Sequence, residues 1–208
     1  MKVLVLDSET TGTAKTDQVI ELAYIELGSI AFSALQQSKK DFELFRLNLL
    51  NNISRFQFKP TVPINPHAFE VHGIGLATLA GKPSSTTVTV PDHEYMVGHV
   101  ISFDKGKLIG SNPTLEDQLE RTKYICTRDL AKALEKHLDL KYENHKLDTL
   151  VKHYYPAEYE VLVQSTHDAA GDVVKTILVL LALLEHIPNV TTWEELYNFQ
   201  QSLKQVKK

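Results

Sequence analysis

Residues 3–12, VLVLDSETTG, decide the fold, because a run of four apolar residues passes directly into a short acidic segment. The apolar run predicts a buried strand, and side chains along a strand alternate between its two faces. Asp7 and Glu9 therefore point the same way at the end of that strand. Two carboxylates this close repel each other unless a proton or a cation lies between them, so the segment predicts a divalent-metal site.

The composition favours one ordinary globular domain. Of the 208 residues, 43% are hydrophobic and 23% charged, which is enough for one sizeable core and short for two. Cys126 is the only cysteine; this excludes an internal disulfide and a cysteine-based zinc framework, and it favours a reducing, cytoplasmic setting. No segment has the length of a membrane span. The net charge of −4 argues against a broad basic surface for long nucleic acid, but not against an enzyme that binds a chain end.

The apolar pattern changes from a period of two to a period of 3.6 along the chain. Strands are predicted over residues 3–6, 19–27 and 55–58, and helices over residues 66–71, 130–138, 147–154, 168–187 and from residue 192 onward. The polar stretch 28–52 is predicted to be a partly helical insertion. Strands first and helices later indicate an α/β sandwich around one sheet. We expect a domain over residues 1–190, followed by a C-terminal helix and basic tail over residues 191–208.

Two further motifs support the acidic segment. Residues 95–104, YMVGHVISFD, predict a short strand followed by a turn and Asp104. Residues 167–172, HDAAGD, place His167 just before a helix and Asp172 in its first turns. Five residues turn a helix by about 500°, so His167 and Asp172 converge only if the histidine lies in the loop that precedes the helix.

In these motifs the sequence resembles the DnaQ-like 3′→5′ exonucleases of the DEDDh type, and most of all the exonuclease X-like members. The matching motifs are DSETTG, GHVISFD and HDAAGD, which occur here in the order of the family. Further similarity lies in Ile64-Asn65-Pro66 with residues 68–74, AFEVHGI, and in residues 124–127, YICT, with Leu130-Ala131. The resemblance implies a ribonuclease H-like α/β sandwich. Its central five-stranded mixed sheet, with the first three strands antiparallel, would be flanked by helices.

The resemblance also implies a two-metal active site that releases nucleoside 5′-monophosphates from a 3′ end, with single-stranded or frayed DNA favoured. The implied ligands of two Mg²⁺ or Mn²⁺ ions are Asp7, Glu9, Asp104 and Asp172. Asp7 would bridge both ions, and Asp104 would hold one of them largely through water. His167 would act as the general base, because its unperturbed pKa suits proton transfer near neutral pH. The residues implied to contact the substrate are Thr10, Thr11, Gly12 and His99.

One position departs from the family, and two alternatives stay open. Val100 stands where the family usually has asparagine after the motif histidine, which bears on the positioning of the turn or the substrate rather than on metal chemistry. An exoribonuclease acting on RNA or short oligoribonucleotides is the first alternative. A nucleic-acid-binding or polymerase-associated subunit without catalysis is the second, although such a subunit would usually have lost a carboxylate or the histidine. The sequence carries no signal for an oligomeric state.

Overall fold

The fold is built on one five-stranded mixed sheet. The computed structural model describes residues 2–28, 34–35, 40–138, 140–163 and 168–205. The strands are β1 (Val3–Thr10), β2 (Val19–Glu26), β3 (Ser54–Gln57), β4 (Tyr95–Gly98) and β5 (Lys123–Cys126). They lie in the order β3-β2-β1-β4-β5. The first three strands pair antiparallel, whereas β4 pairs parallel with both β1 and β5. The predicted ribonuclease H-like sheet is confirmed.

Helices cover both faces of this sheet. In the described residues they are α1 (Phe42–Asn52), α2 (Pro66–His72), α3 (Ile101–Ser111), α4 (Glu116–Arg121), α5 (Thr127–Leu138), α6 (Leu147–Tyr154), α7 (Tyr159–Val163), α8 (Ala169–Leu184) and α9 (Trp193–Gln205). The helix predicted over residues 66–71 is confirmed as α2, and it ends at Gly73 in the left-handed conformation that glycine favours. Helix α8 ends at Leu184, three residues before the predicted end.

The helix predicted from residue 192 is confirmed together with its N-terminal cap. The backbone N–H of Glu195 donates to the Thr192 hydroxyl at 3.2 Å, and the Glu195 carboxylate accepts from the backbone N–H of Thr192 at 3.0 Å. This reciprocal pair satisfies two donors that the first turn of α9 leaves without helical partners.

The segment around Asp104 differs from the prediction. The sequence predicts a turn that carries the aspartate, but α3 begins at Ile101, so Asp104 lies in the first turn of a helix. Val100, which precedes the helix, has the left-handed conformation at φ 68° and ψ 38°. Since β4 ends at Gly98, only two residues are left to reverse the chain onto the face of the sheet, and the helix follows at once.

The alternation along β1 distributes its side chains between two hydrophobic clusters. Val3 and Val5 belong to the larger cluster, which contains the apolar side of α8, whereas Leu4 and Leu6 belong to a second cluster with residues of α3 and α4. Continued along the strand, the same alternation puts Asp7 and Glu9 on the α8 side and Ser8 on the α3 side. The fold therefore surrounds the end of β1 with side chains from both layers.

The predicted insertion and the C-terminal helix also contribute to the larger cluster. Phe45 and Leu49 of α1 and Trp193 of α9 are buried in it. Of the predicted insertion over residues 28–52, the part 40–52 is described and is mostly helical, while residues 29–33 and 36–39 lie outside the described residues. The domain boundary at residue 190 stays a prediction. No helix within the described ranges has the length and apolar character to cross a membrane.

Candidate active site

Four carboxylates lie within electrostatic reach of one another at the carboxyl end of β1. Asp7 and Glu9 come from the strand itself, Asp104 from the first turn of α3, and Asp172 from the first turn of α8. The first turn of α8 packs closely, because its buried residues Ala169, Ala170 and Gly171 have small side chains or none. The three motifs of the sequence thus lie together in space.

The carboxylates of this cluster carry more negative charge than the neighbouring basic side chains compensate, and their pKa values are raised as a result. Burial, and then the charges of Asp172, Asp104 and Glu9, raise the pKa of Asp7 well above its ordinary value. Burial, and then Asp172 and Glu21, raise the pKa of Glu9 to about 8. Burial raises the pKa of Asp104 to about 7, although a hydrogen bond from Ser8 partly offsets the shift. Such groups hold protons until another cation supplies the missing charge.

Ser8 orients Asp104 from the opposite face of β1. Its hydroxyl donates to Oδ1 of Asp104 at 2.7 Å, and both side chains are buried. A carboxylate fixed by a buried hydroxyl keeps one oxygen engaged and one rotamer selected. The residue between the two acidic positions of DSE therefore has a structural task of its own.

A buried lysine is the main feature that the sequence analysis missed. Lys175 of α8 is 1% exposed, and its Nζ lies 2.5 Å from Oδ1 of Asp172 and 2.7 Å from Oδ1 of Asp148. Burial by itself would lower the pKa of Lys175, but the two carboxylates outweigh burial, so the pKa is raised and the amine stays charged. The available signal was the spacing: Lys175 is the one basic residue of an otherwise apolar helix, three residues after Asp172 and hence on the same face.

The donor set fits a divalent cation by its chemistry. Carboxylate oxygens are the ligands that Mg²⁺ and Mn²⁺ prefer, and the raised pKa values mark an excess of negative charge. Within the described ranges, no three acidic, histidine or cysteine side chains are drawn together into a ready-made metal-binding group. Asp172 is turned toward Lys175, which supplies positive charge at this position.

Two further carboxylates, Glu21 and Asp168, lie beside the cluster, and both contact the guanidinium of Arg55. Glu21 of β2 is the cross-strand neighbour of Glu9. It is fully buried, and its Oε2 accepts hydrogen bonds from Arg55 and Gln57, each at 2.9 Å. The same guanidinium reaches Oδ1 of Asp168 at 2.7 Å. Arg55 therefore ties β2 and β3 to the residue that immediately precedes α8.

His167, the predicted general base, lies outside the described residues, as do residues 164–166. Its neighbour Asp168 is described and occupies the N-cap position of α8. The helix begins at Ala169, two residues after the histidine and one residue after the predicted start at residue 168.

The loop TTG, predicted to contact substrate, is held by contacts of its own. The Thr10 hydroxyl donates to the carbonyl of Gly12 at 2.8 Å, and the Thr11 hydroxyl donates to Asp17 at 3.0 Å. A Cβ atom at Gly12 would lie 2.6 Å from Oδ2 of Asp17, so a side chain there would displace a carboxylate that accepts from the Thr11 hydroxyl and the backbone N–H of Ala14. The two hydroxyls thus shape the loop, and its backbone is the part left to face a ligand.

His99, the fourth predicted substrate contact, is engaged on both ring nitrogens. Nδ1 lies 2.9 Å from the Thr127 hydroxyl, and Nε2 lies 2.9 Å from the carbonyl of His145. A carbonyl only accepts, so Nε2 carries the hydrogen and Nδ1 accepts from Thr127. Burial lowers the pKa of His99 to about 4. The ring is neutral near pH 7 and joins the end of β4 to the start of α5 and to the loop before α6.

Comparison with known proteins identifies the family and supports the fold. The sequence model of the RNase T exonuclease family matches residues 4–180. No curated protein matches the sequence. Among solved structures, exonuclease X in complex with 5′-overhanging duplex DNA superposes with a TM-score of 0.58 at 20% identity, covering 95% of this chain and 99% of that one.

Exonuclease I structures are similar as well. The zinc-bound complex of Escherichia coli exonuclease I with single-stranded DNA has a TM-score of 0.65 at 18% identity, and exonuclease I from Methylocaldum szegediense has 0.63 at 19%. Both comparisons cover 95% of this chain and 42% of the other, so the chain spans less than half the length of those enzymes. At these identities the likeness is one of fold. The family match over residues 4–180 covers most of the chain, and the chain therefore belongs to the RNase T exonuclease family as a DnaQ-like 3′–5′ exonuclease.

Proposed function

We propose that the chain is a divalent-metal-dependent exonuclease that removes nucleoside 5′-monophosphates from the 3′ ends of DNA, with single-stranded or frayed ends favoured. The observation that carries the proposal is the meeting of Asp7, Glu9, Asp104 and Asp172 at one strand end with too little positive charge around them. These four residues would hold two Mg²⁺ or Mn²⁺ ions. When bound, the ions polarise the phosphodiester and lower the pKa of water.

The side chains around the carboxylates have separate tasks in this proposal. Ser8 fixes the rotamer of Asp104, and Lys175 orients Asp172 from behind. His167 would accept the proton of the attacking water, because a neutral imidazole near pH 7 is a suitable base. The TTG loop and His99 would shape the place for the terminal nucleotide. The loop would do so through its backbone, and His99 would do so through its position at the end of β4.

DNA is proposed as the substrate because of what related structures contain. The matched exonuclease X and exonuclease I structures are complexes with overhanging duplex DNA and with single-stranded DNA. A terminal base must leave its stack before its phosphate reaches a site at the end of a strand, so single-stranded ends should be cut faster than blunt duplex ends. The exoribonuclease alternative is decided by the experiment below.

The test compares matched 5′-labelled DNA and RNA oligomers of the same sequence, with Mg²⁺, Mn²⁺ or EDTA. We expect a ladder that shortens from the 3′ end of DNA and a complete loss of cleavage in EDTA. Full activity in EDTA would refute the metal-dependent mechanism, and faster loss of the RNA oligomer would replace DNA by RNA as the substrate.

The role of His167 has its own test. Replacing His167 by alanine should lower kcat by about 10²–10⁴, the range for a lost general base, while metal binding survives. Asp168→Asn is the neighbouring control, since Asp168 forms an ion pair with Arg55 and is not one of the four proposed ligands. Loss of metal binding in His167→Ala would show that the histidine is a ligand and not the base.

A further inference from the structure

A basic pocket opens directly beside Asp172. It has a volume of about 580 Å³ and lies between the end of β4, the first turns of α5 and the loop before α6. Its walls carry three basic side chains, Arg128, Lys132 and Lys146, together with the carboxylates Asp148 and Asp172. A pocket of this size accommodates a nucleotide.

The three basic side chains have no partners among the described residues. None of them donates a side-chain hydrogen bond or forms an ion pair there, and Nε of Arg128 is buried without an acceptor. A buried donor without an acceptor is costly, and a guanidinium presents a planar fork of donors that matches a phosphate group. The carboxylates on the same walls do not fill this role, because both are turned to Lys175.

The pocket is also held in shape before any ligand arrives. His99 bonds to Thr127 at the start of α5 and to the carbonyl of His145, which fixes the loop before α6 against that helix. Arg128 follows Thr127 directly, and Lys132 lies one turn further along the same helix. The two cations are thus presented from a rigid element to the same cavity.

We propose that this pocket, named here the Arg128 pocket, binds a backbone phosphate of the substrate strand other than the scissile one. The inference rests on the proposed function. In a 3′–5′ exonuclease that removes one nucleotide at a time, the terminal nucleotide ends in a hydroxyl, so every other phosphate lies on the 5′ side of the scissile bond. The Arg128 pocket then defines the direction in which the strand leaves the carboxylate cluster, past Asp172 and over the start of α5.

The main test is the affinity for a fluorescein-labelled single-stranded DNA 12-mer, measured by fluorescence anisotropy in EDTA, where no cleavage occurs. Arg128→Gln and Lys132→Gln should each weaken binding about fivefold to tenfold and reduce the salt dependence of log Kd by about 0.7, the value for one lost phosphate contact on a single strand. Lys136→Gln is the matched control, because Lys136 lies one turn after Lys132 on α5 and does not line the pocket. The control should bind as the wild type does.

A second substrate separates the scissile phosphate from the others. The p-nitrophenyl ester of thymidine 5′-monophosphate contains only the scissile phosphate. We expect the loss of kcat/KM in Lys132→Gln to be at least fivefold smaller on this ester than on the 12-mer. Equal losses on both substrates would place the basic residues at the scissile phosphate and overturn the inference.

The remaining outcomes are equally decisive. If the variants bind the 12-mer normally but resist inhibition by thymidine 5′-monophosphate, the pocket holds the released product and the inference is wrong. The inference is also overturned if Arg128→Gln and Lys132→Gln bind the 12-mer with the same affinity as Lys136→Gln. A wild-type chain that cleaves neither substrate but loses 12-mer binding in Arg128→Gln would refute the proposed function and keep the phosphate site.

Discussion

Glu9 and Glu21 face each other across β1 and β2, yet their surroundings are opposite. Glu21 is fully buried and accepts hydrogen bonds from Arg55 and Gln57. Glu9 has no ion pair with a described residue, and burial together with Asp172 raises its pKa to about 8. The sheet thus contains one glutamate whose charge is compensated by the protein and another whose compensation has to come from outside. We expect the first kind of position to stabilise the fold and the second kind to bind a ligand.

The largest expected effect comes from exchanging each glutamate for its amide. Glu9→Gln should lower kcat by about three orders of magnitude, because a metal ligand supports several kcal/mol of transition-state stabilisation. Its free energy of unfolding in EDTA should rise, since a buried repulsion is removed. Glu21→Gln should lower the free energy of unfolding by about 1–2 kcal/mol, with a far smaller loss of kcat.

Urea unfolding and single-turnover cleavage, run on both variants, check this comparison. The glutamates share a pair of strands and the change is the same, so each variant is the control of the other. Equal losses of kcat in Glu9→Gln and Glu21→Gln would contradict the division between a ligand position and a structural position.

Lys175 gives the second test of this comparison, because its buried ammonium group compensates part of the negative charge of the cluster. Lys175→Met would leave Asp148 and Asp172 without their buried cation, and we expect the free energy of unfolding in EDTA to fall by about 3 kcal/mol. Added Mn²⁺ should recover more stability in the variant than in the wild type, since the ion then replaces an internal charge.

The matched control is Lys107→Met. Lys107 is also buried, but its Nζ donates to the carbonyl of Ala14 and not to a carboxylate. This variant should lose stability without any larger gain from Mn²⁺. Thermal unfolding with and without Mn²⁺ measures the stability of each variant and its stabilisation by the ion. Equal stabilisation by Mn²⁺ in Lys175→Met and Lys107→Met would show that Lys175 is not a counter-ion of the site.

His99 extends the comparison to a titratable group that the protein stabilises in its neutral form, through hydrogen bonds to both ring nitrogens. Its pKa falls from 6.5 in the unfolded chain to about 4 in the folded protein, because burial opposes the charged ring. Between these values the unfolded state binds more protons, so stability is fully present above pH 6.5 and is lost as the pH falls toward 4. The loss amounts to roughly 3 kcal/mol.

His99→Gln should remove this part of the acid sensitivity, since an amide bonds to Thr127 and to the carbonyl of His145 without titrating. The measurement is the free energy of unfolding at several pH values between 4 and 7.5. A pH dependence in His99→Gln as steep as that of the wild type would mean that other groups cause the acid loss.

Sequence reasoning reached four of the five strands, most helices and the four candidate carboxylates because these follow from local patterns. The fifth strand, β5, followed only from the family resemblance. The period of the apolar residues and the acidic positions at the end of β1 and within the HDAAGD motif are readable without a structure. The partners that compensate the buried charges could not be predicted from the sequence. Arg55 reaches Glu21 from another strand, and Asp148 reaches Lys175 from another helix, so each partnership depends on tertiary contacts between residues that are distant in sequence. The helix at Ile101 was missed for a local reason, since Val100 is a poor residue for the left-handed conformation that starts it.

Val100 carries the smallest expected effect, and it concerns strain instead of charge. A β-branched residue at φ 68° is costly, whereas asparagine tolerates this conformation. In the described part of the chain the other non-glycine residue with positive φ is Asn189 at 63°. Val100→Asn should therefore raise the free energy of unfolding by about 1 kcal/mol, which corresponds to a Tm increase of about 2–4 °C for a chain of this size. Val100→Thr keeps the β-branch and the strain, so it should show no gain. If urea unfolding finds the asparagine variant no more stable than the threonine variant, the apolar contacts of Val100 outweigh its backbone strain, and the cost at the end of β4 is smaller than its dihedral angles indicate.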